Sequence, residues 1–319
     1  MKLRHLISLV ALVVAISVTP AVAQTTPLRY QWKQGDILTY RTVVKTTSNS
    51  TGAPSGPATF EQTLSQTLKL TVAAVDLEGT ATIRQSIEAV NLKVVSPMGT
   101  VEYDSARTLG AEADPRVVSM SKTVGGMVGE AISVTMTATG VVRRIDGAAR
   151  IMDKLINNLP RDPMAGGLAQ NIKSMLSDEA LRSSLEQSFS RMPEQPVKPG
   201  DTWTSEQTVG ADAVGKVVGT STFTLKAIEG TGDAAVARIA VRLALRQENV
   251  PTAGASAMMK LDPKSEGTGE VVFNIARGRI ETNSMRTDMP STVTMRGPDG
   301  GAITMQNQTR TAMTMDIVK

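Results

Sequence analysis

Leu68, Leu70, Val72 and Ala74 alternate with polar or small residues, a period of two that predicts a half-buried strand. Asp76 to Gly79 carries turn residues, and Ala81 to Val95 runs back as the second arm of a hairpin. Glu102 to Thr108 can add a further strand. The sharpest alternation is the last: Ile303, Met305, Met313, Met315 and Ile317 hold odd positions, whereas Thr304, Gln306, Gln308, Arg310, Thr314 and Asp316 hold even ones. Such a strand is on the order of 50 Å long and belongs in a twisted or curved sheet. Pro298-Asp299-Gly300-Gly301 supplies the turn before it. Thr46 to Thr59, rich in Ser, Thr, Gly and Pro, reads as a long loop between strands.

In the middle of the chain the period becomes helical. Ile151, Leu155 and Leu159 form one stripe, Leu168, Ile172 and Leu176 a second, and Leu181, Leu185 and Phe189 a third. Ser177 is placed to cap the third helix, with Asp178 and Glu179 against the positive end of its dipole. A weaker stripe, Val117, Met120, Val124 and Met127, ends among Gly125, Gly126 and Gly129, which either permit close packing or simply stop the helix.

The β regions repeat. Lys33-Gln34-Gly35-Asp36 opens the first and Lys198-Pro199-Gly200-Asp201 the second, with Trp32 and Tyr40 near one and Trp203 near the other. Thr71 to Asp76 aligns with Thr224 to Glu229, and Thr139-Gly140-Val141 answers Arg277-Gly278-Arg279. The expected fold class is therefore α+β, mostly β. Its core is a long curved antiparallel sheet, half-barrel-like, built from two related β halves with central amphipathic helices packed on it. The expected divisions are a signal peptide (1–23), a first β half (24–146), a helical insert (147–195) and a second β half (196–319).

Lys2 and Arg4, the apolar run Leu6 to Val18 and the small-residue site Ala21-Val22-Ala23 have the layout of a secretory signal peptide. Export to the periplasm or beyond is expected, with cleavage near Ala23/Gln24. The apolar run is 13 residues, short of the roughly 20 a spanning helix needs, and no cysteine follows it to carry a lipid anchor. Cleavage removes the only histidine, His5, and lowers the formal charge from +4 to +2. Without histidine or cysteine, triad hydrolysis, His/Cys zinc sites and haem or iron–sulfur ligation are excluded. No acid lies in a recognisable motif and no glycine-rich phosphate loop is present. Neither an enzyme nor a cofactor is expected. Basic residues are scattered, with no run beyond Arg143-Arg144, so nucleic acid is not an expected partner.

Eight of the 17 methionines fall between Met258 and Met315. Core filling, an adaptable apolar binding surface and Cu(I) ligation by thioethers are the three readings of that bias. Met258-Met259 falls in an Ala/Gly/Ser-rich stretch and reads as an exposed contact. Trp32 and Trp203, at matching places in the two halves, suit either core packing or ligand stacking.

Gly269 to Ile280, with the closing strand Ile303 to Val318, the segment Ala131 to Gly147 and Lys33 to Asp36, resembles a family of uncharacterised exported bacterial proteins across most of the mature chain. That family supplies no activity. In layout the chain also resembles periplasmic lipoprotein and lipid carriers, whose unclosed barrel shelters acyl chains between sheet and helices. The curved-sheet patterning, the methionine bias and the missing catalytic groups point, alongside that layout, to an exported, non-enzymatic carrier for an apolar ligand, a lipid or a lipoprotein acyl chain. Leu155, Leu159, Leu168, Ile172, Met305, Met313 and Met315 are the candidate ligand contacts. The alternative is a structural or protein-interaction module of the cell envelope. An outer-membrane barrel is set aside because nine aromatics cannot furnish two interfacial girdles.

Overall fold

The structure, a computed structural model, describes residues 25–53, 56–159, 165–209, 216–248, 257–296 and 301–318. The expected signal peptide, residues 298–300 of the expected turn and the side chain of Leu168 lie outside the described set. In chain order the first half holds β1 (Ile37–Thr51), β2 (Ala58–Val75), β3 (Ala81–Ser96), β4 (Gly99–Asp104), α1 (Pro115–Thr123), a 3-10 turn (Gly125–Met127), β5 (Ala131–Met136) and β6 (Val142–Asp146). Helices α2 (Ala148–Asn157), α3 (Ala165–Met175) and α4 (Asp178–Ser188) follow. The second half holds β7 (Thr202–Val209), β8 (Lys216–Glu229), β9 (Val236–Glu248), β10 (Ala257–Leu261), β11 (Glu266–Asn274), β12 (Arg279–Arg296) and β13 (Ala302–Ile317).

All of these strands join one antiparallel sheet that does not close into a barrel. Its order is β6-β5-β3-β2-β1-β13-β12-β11-β9-β8-β7, with β4 beside β3 and β10 beside β12. The order displays the repeat: β1-β2-β3-β5-β6 and β7-β8-β9-β11-β12 are laid out alike, and β13 is inserted between the two sets. The opening turns match atom for atom. Gly35 N–H donates to the Val72 carbonyl at 2.9 Å and Val72 N–H donates to the Asp36 carbonyl at 2.9 Å. Gly200 and Leu225 do the same at 2.8 Å, and Leu225 and Asp201 at 3.0 Å. Both glycines sit in the left-handed region, φ +89° and +97°, which a side chain would strain. A bulge follows each partner, between Val72 and Ala74 and between Leu225 and Ala227. The two tryptophans, by contrast, are not equivalent. Counted from the shared turn, Trp203 matches Leu38, and Trp32 matches Val197.

The Thr46 to Thr59 loop is mostly strand. β1 runs to Thr51, and β2 begins at Ala58. The composition suggested a loop, but Thr46, Ser48 and Ser50 are paired with Thr311, Thr309 and Asn307 of β13, and β-branched and hydroxyl side chains suit that setting. Met258-Met259 likewise lies in β10, not in a loop, with the Met259 carbonyl accepting from Gln247 Nε2 at 2.8 Å.

Helix α4 packs against both outermost strands, β6 and β7, so the sheet curls until its two edges lie on either side of one helix. Arg182 of α4 donates to the Val142 carbonyl on β6, and the Trp203 indole on β7 donates to the Arg191 carbonyl just past the helix at 2.7 Å. As the sequence predicts, Ser177 caps α4, accepting from Ala180 N–H at 3.2 Å. Helices α2 and α3 bury Ile151, Leu155, Ile172 and Leu176 against one another, and Ile132 of β5 joins that cluster to the main core. A Cβ on Gly126 would lie 2.7 Å from Leu155 Cδ2 and one on Gly125 2.2 Å from Tyr103 Oη. These glycines therefore permit close packing of the turn on its neighbours.

Candidate functional site

The face of the sheet turned toward α4 divides into a closed end and an open half. At the closed end every aromatic except Phe60 and Tyr103 is gathered. Tyr30 stacks on Trp32 at 5.3 Å and meets Phe273 edge-on at 5.5 Å; Trp203 stacks on Phe223 at 5.5 Å. Both tryptophans are thus packing residues. Tyr40 Oη donates to the Ile280 carbonyl at 3.0 Å and Tyr30 Oη to the Ser190 carbonyl at 3.2 Å. Burial raises both phenol pKa values, and for Tyr30 the neighbouring Tyr40 adds to it. Asn283 of β12, 3% exposed, fastens the end of α4 by donating to the Gln187 and Ser188 carbonyls at 3.2 and 2.9 Å. Between the end of α4 and β7, β8, β9 and β12 the remaining void is about 20 Å³, room for about one water. The space expected to hold a ligand between α4 and the sheet is filled with side chains.

Beyond α4 the same face stays open. A row of directly paired residues crosses it from β3 to β7: Leu92, Leu64, Val44, Met313, Met285, Gly269, Val241, Phe223 and Trp203. At its two flanks Leu92, Met285, Val241 and Phe223 are buried. In the middle Leu64, Val44 and Met313 are only half-buried. The adjoining row toward the open end is hydroxyl-bearing at its centre, where Thr46 and Thr311 bond at 3.3 Å, and Ser48 and Thr309 repeat the contact one step farther at 3.2 Å. The row toward the closed end runs Val90, Gln66, Thr42, Met315 and Asn283. None of these paired positions is ionisable.

The residues singled out from the sequence fall in two places. Leu155 and Ile172 are buried in the helical cluster, and Leu159 packs on it half-buried. On β13, Met315 is buried in the closed end, Met313 lies at the centre of the open row, and Met305 sits about 33 Å from Met315 along the strand. The helical and methionine groups do not line one cavity. Leu64, Val44 and Met285 escaped the sequence reading because only strand register sets them beside Met313. Among the described residues no three His, Cys, Asp or Glu side chains are grouped so as to hold a metal ion, and no helix is long and apolar enough to cross a membrane.

A family model, "Family of unknown function (DUF6263)", matches residues 78–280. No curated protein matches the chain. Among solved structures it is similar to a chain from a study of lipid–protein interactions in lipovitellin, at 10% identity and TM-score 0.47, covering 90% of this chain and 25% of that one. DynF from the dynemicin biosynthesis pathway of Micromonospora chersina aligns at 9% identity and TM-score 0.21, covering 95% of this chain and 92% of that one. An outer membrane channel from Pseudomonas putida F1 aligns at 10% identity and TM-score 0.23, covering 95% and 100%. The chain spans about a quarter of the lipovitellin chain, and these are likenesses of outline only.

Proposed function

The chain belongs to the DUF6263 family, whose function is unknown, and from its own geometry we propose that it is a non-catalytic binding protein that holds an apolar chain, a lipid or a lipoprotein acyl group, against the open half of its inner face. The observation that carries this reading is the in-register row whose flanks are covered and whose centre, Leu64, Val44 and Met313, is not. A half-exposed apolar strip in a concavity gains by being covered, at roughly 25 cal/mol for each Å² withdrawn from water. Three neighbouring rows without an ionisable side chain favour a neutral, greasy occupant and offer no acid–base pair for catalysis. The unbranched thioether of Met313 lets the strip adjust to different chains. Export to the periplasm, the setting in which such a carrier works, is part of the same proposal.

Gently purified mature protein should carry co-purifying acyl lipid, detected by native mass spectrometry and solvent extraction. It should also bind a fluorescent fatty acid. Val44→Gln with Met313→Gln should abolish both while leaving the circular dichroism unchanged. Repeated preparations without lipid, together with no uptake of the probe, would refute the reading.

A further inference from the structure

One residue away on each strand, on the opposite face, a second row runs parallel to the apolar one. It reads Lys93, Thr63, Lys45, Ala312, Arg286, Thr268 and Arg242, each directly paired with the next across β3, β2, β1, β13, β12, β11 and β9. Cations stand on alternate strands, about 9.6 Å apart, and the four span about 29 Å. All four are exposed, and none takes part in an ion pair or a side-chain hydrogen bond among the described residues. Small residues separate them, and no acid lies between Lys93 and Arg242; beyond Lys93 the row ends on Glu102 of β4, its direct partner. In the adjoining rows Asp288 pairs with Arg310 at 3.5 Å and Glu270 with Arg238 at 2.8 Å, whereas Glu61 and Glu266 take part in no ion pair among the described residues. Two shallow depressions, about 740 and 370 Å³, lie on this face, and both are walled by Lys45 and Arg286 with Ala312 between them. Glu266, on the wall of the smaller one, is in no ion pair.

We infer that this row is a binding groove for a linear acidic polysaccharide lying across the strands. A line of exposed cations held in no ion pair attracts a polyanion, and the depressions favour a chain laid in a channel over a flat membrane surface. The spacing decides between polymers. A nucleic acid duplex presents a charge about every 3.4 Å on each strand, far denser than one cation in about 9.6 Å. Binding of single strands relies on aromatic platforms, which the row lacks. A polysaccharide with a carboxylate on widely spaced sugars matches the sparser charge, and Thr63 and Thr268 between the cations present hydroxyls to its hydroxyls. This site is independent of the apolar strip, which lies on the other side of the sheet.

The test is isothermal titration of the folded mature protein with hyaluronate, which carries a carboxylate on every second sugar, and with dextran, a single-stranded oligonucleotide and anionic phospholipid vesicles for comparison. Hyaluronate should bind at low salt and dextran should not. Lys45→Gln with Arg286→Gln should weaken binding about tenfold and reduce its salt dependence by about half, since that dependence scales with the cations engaged. Ala312→Glu, which sets an acid between the two cations, should weaken it comparably, and Glu266→Gln should tighten it. Lys226→Gln with Arg84→Gln removes the same charge away from the row and should leave binding unchanged. Equal loss in that control, tighter binding to oligonucleotide or vesicles than to hyaluronate, or no binding of hyaluronate would overturn the inference.

Discussion

At the closed end of the sheet, β1, β12 and β13 carry Tyr40, Ile280 and Met315 into a core that also takes in Tyr30, Phe189 and Phe273. Between four and ten residues farther along, the same strands carry Val44, Met289 and Met305, partly exposed on the same face. Hydrogen-bonded pairing continues unbroken from one end to the other. The difference lies in what crosses the sheet. Segments 25–32 and 189–197 and helix α4 pass over the closed end, tied to each other by the reciprocal Thr26–Val197 bonds at 2.7 and 3.0 Å and to the β5–β6 turn through Tyr30 and Met192 N–H groups. Among the described residues no comparable segment lies over the middle of β1 and β13. Stability is therefore concentrated where layers cross, and the exposed half of the same strands adds little packing.

The largest effect should come from emptying the closed end. Phe273→Ala removes a fully buried ring from the aromatic cluster and should cost about 3–5 kcal/mol in urea unfolding, because the surrounding strands cannot collapse into the space. An equal cost for Phe60→Ala, whose ring is exposed in the open half, would erase the contrast between the ends.

A sharper comparison uses two methionines separated by one residue. Met315→Ala should cost about 2–5 kcal/mol, as for a buried methionine. Met313→Ala, half-buried, should cost roughly 1 kcal/mol while reducing fatty-acid binding. Matched stability losses from the two would show that the open row is already packed.

The buried phenols give the closed end a pH signature. Tyr30 and Tyr40 have folded-state pKa values raised above the unfolded value near 10, so their contribution is intact below about pH 9 and is lost as the pH rises beyond that unfolded value. Stability should fall by about 1.4 kcal/mol per pH unit for each phenol above about pH 10. Tyr40→Phe should remove one phenol's share of that slope, measured as the urea midpoint between pH 8 and 11.5. The smallest effect belongs to the outer row, where Lys45→Gln should change stability by less than about 0.5 kcal/mol in the same assay.

Much of this arrangement is legible in the sequence where the pattern is local. The period-two run from Ile303 to Ile317, the helical stripes at Ile151, Ile172 and Leu185 and the Ser177 cap are each set by neighbours within a turn or a pleat, and the structure places them as read. The paired turns at Gly35 and Gly200 are legible for the same reason: a left-handed glycine followed by aspartate needs only local geometry. Thr46 to Thr59 misleads because its residues pair on one side within a hairpin, with β2, and on the other with β13, whose partners are more than 250 residues away in sequence.

By itself the sequence determined the mostly β class, the repeat, the helical insert and the chemistry that a chain without histidine or cysteine beyond residue 5 cannot perform. Only the tertiary structure decided which side chains stand together. Lys93, Lys45, Arg286 and Arg242 are scattered singly along the chain, and a search for runs of charge passes over them, yet register sets them in one line. The same register sets Leu64, Val44 and Met313 in another. Side-chain direction alternates along a strand, so the sequence assigns each residue to one of two faces. Which residue lies beside it is fixed by hydrogen bonding between distant strands, and that pairing exists only in the folded sheet.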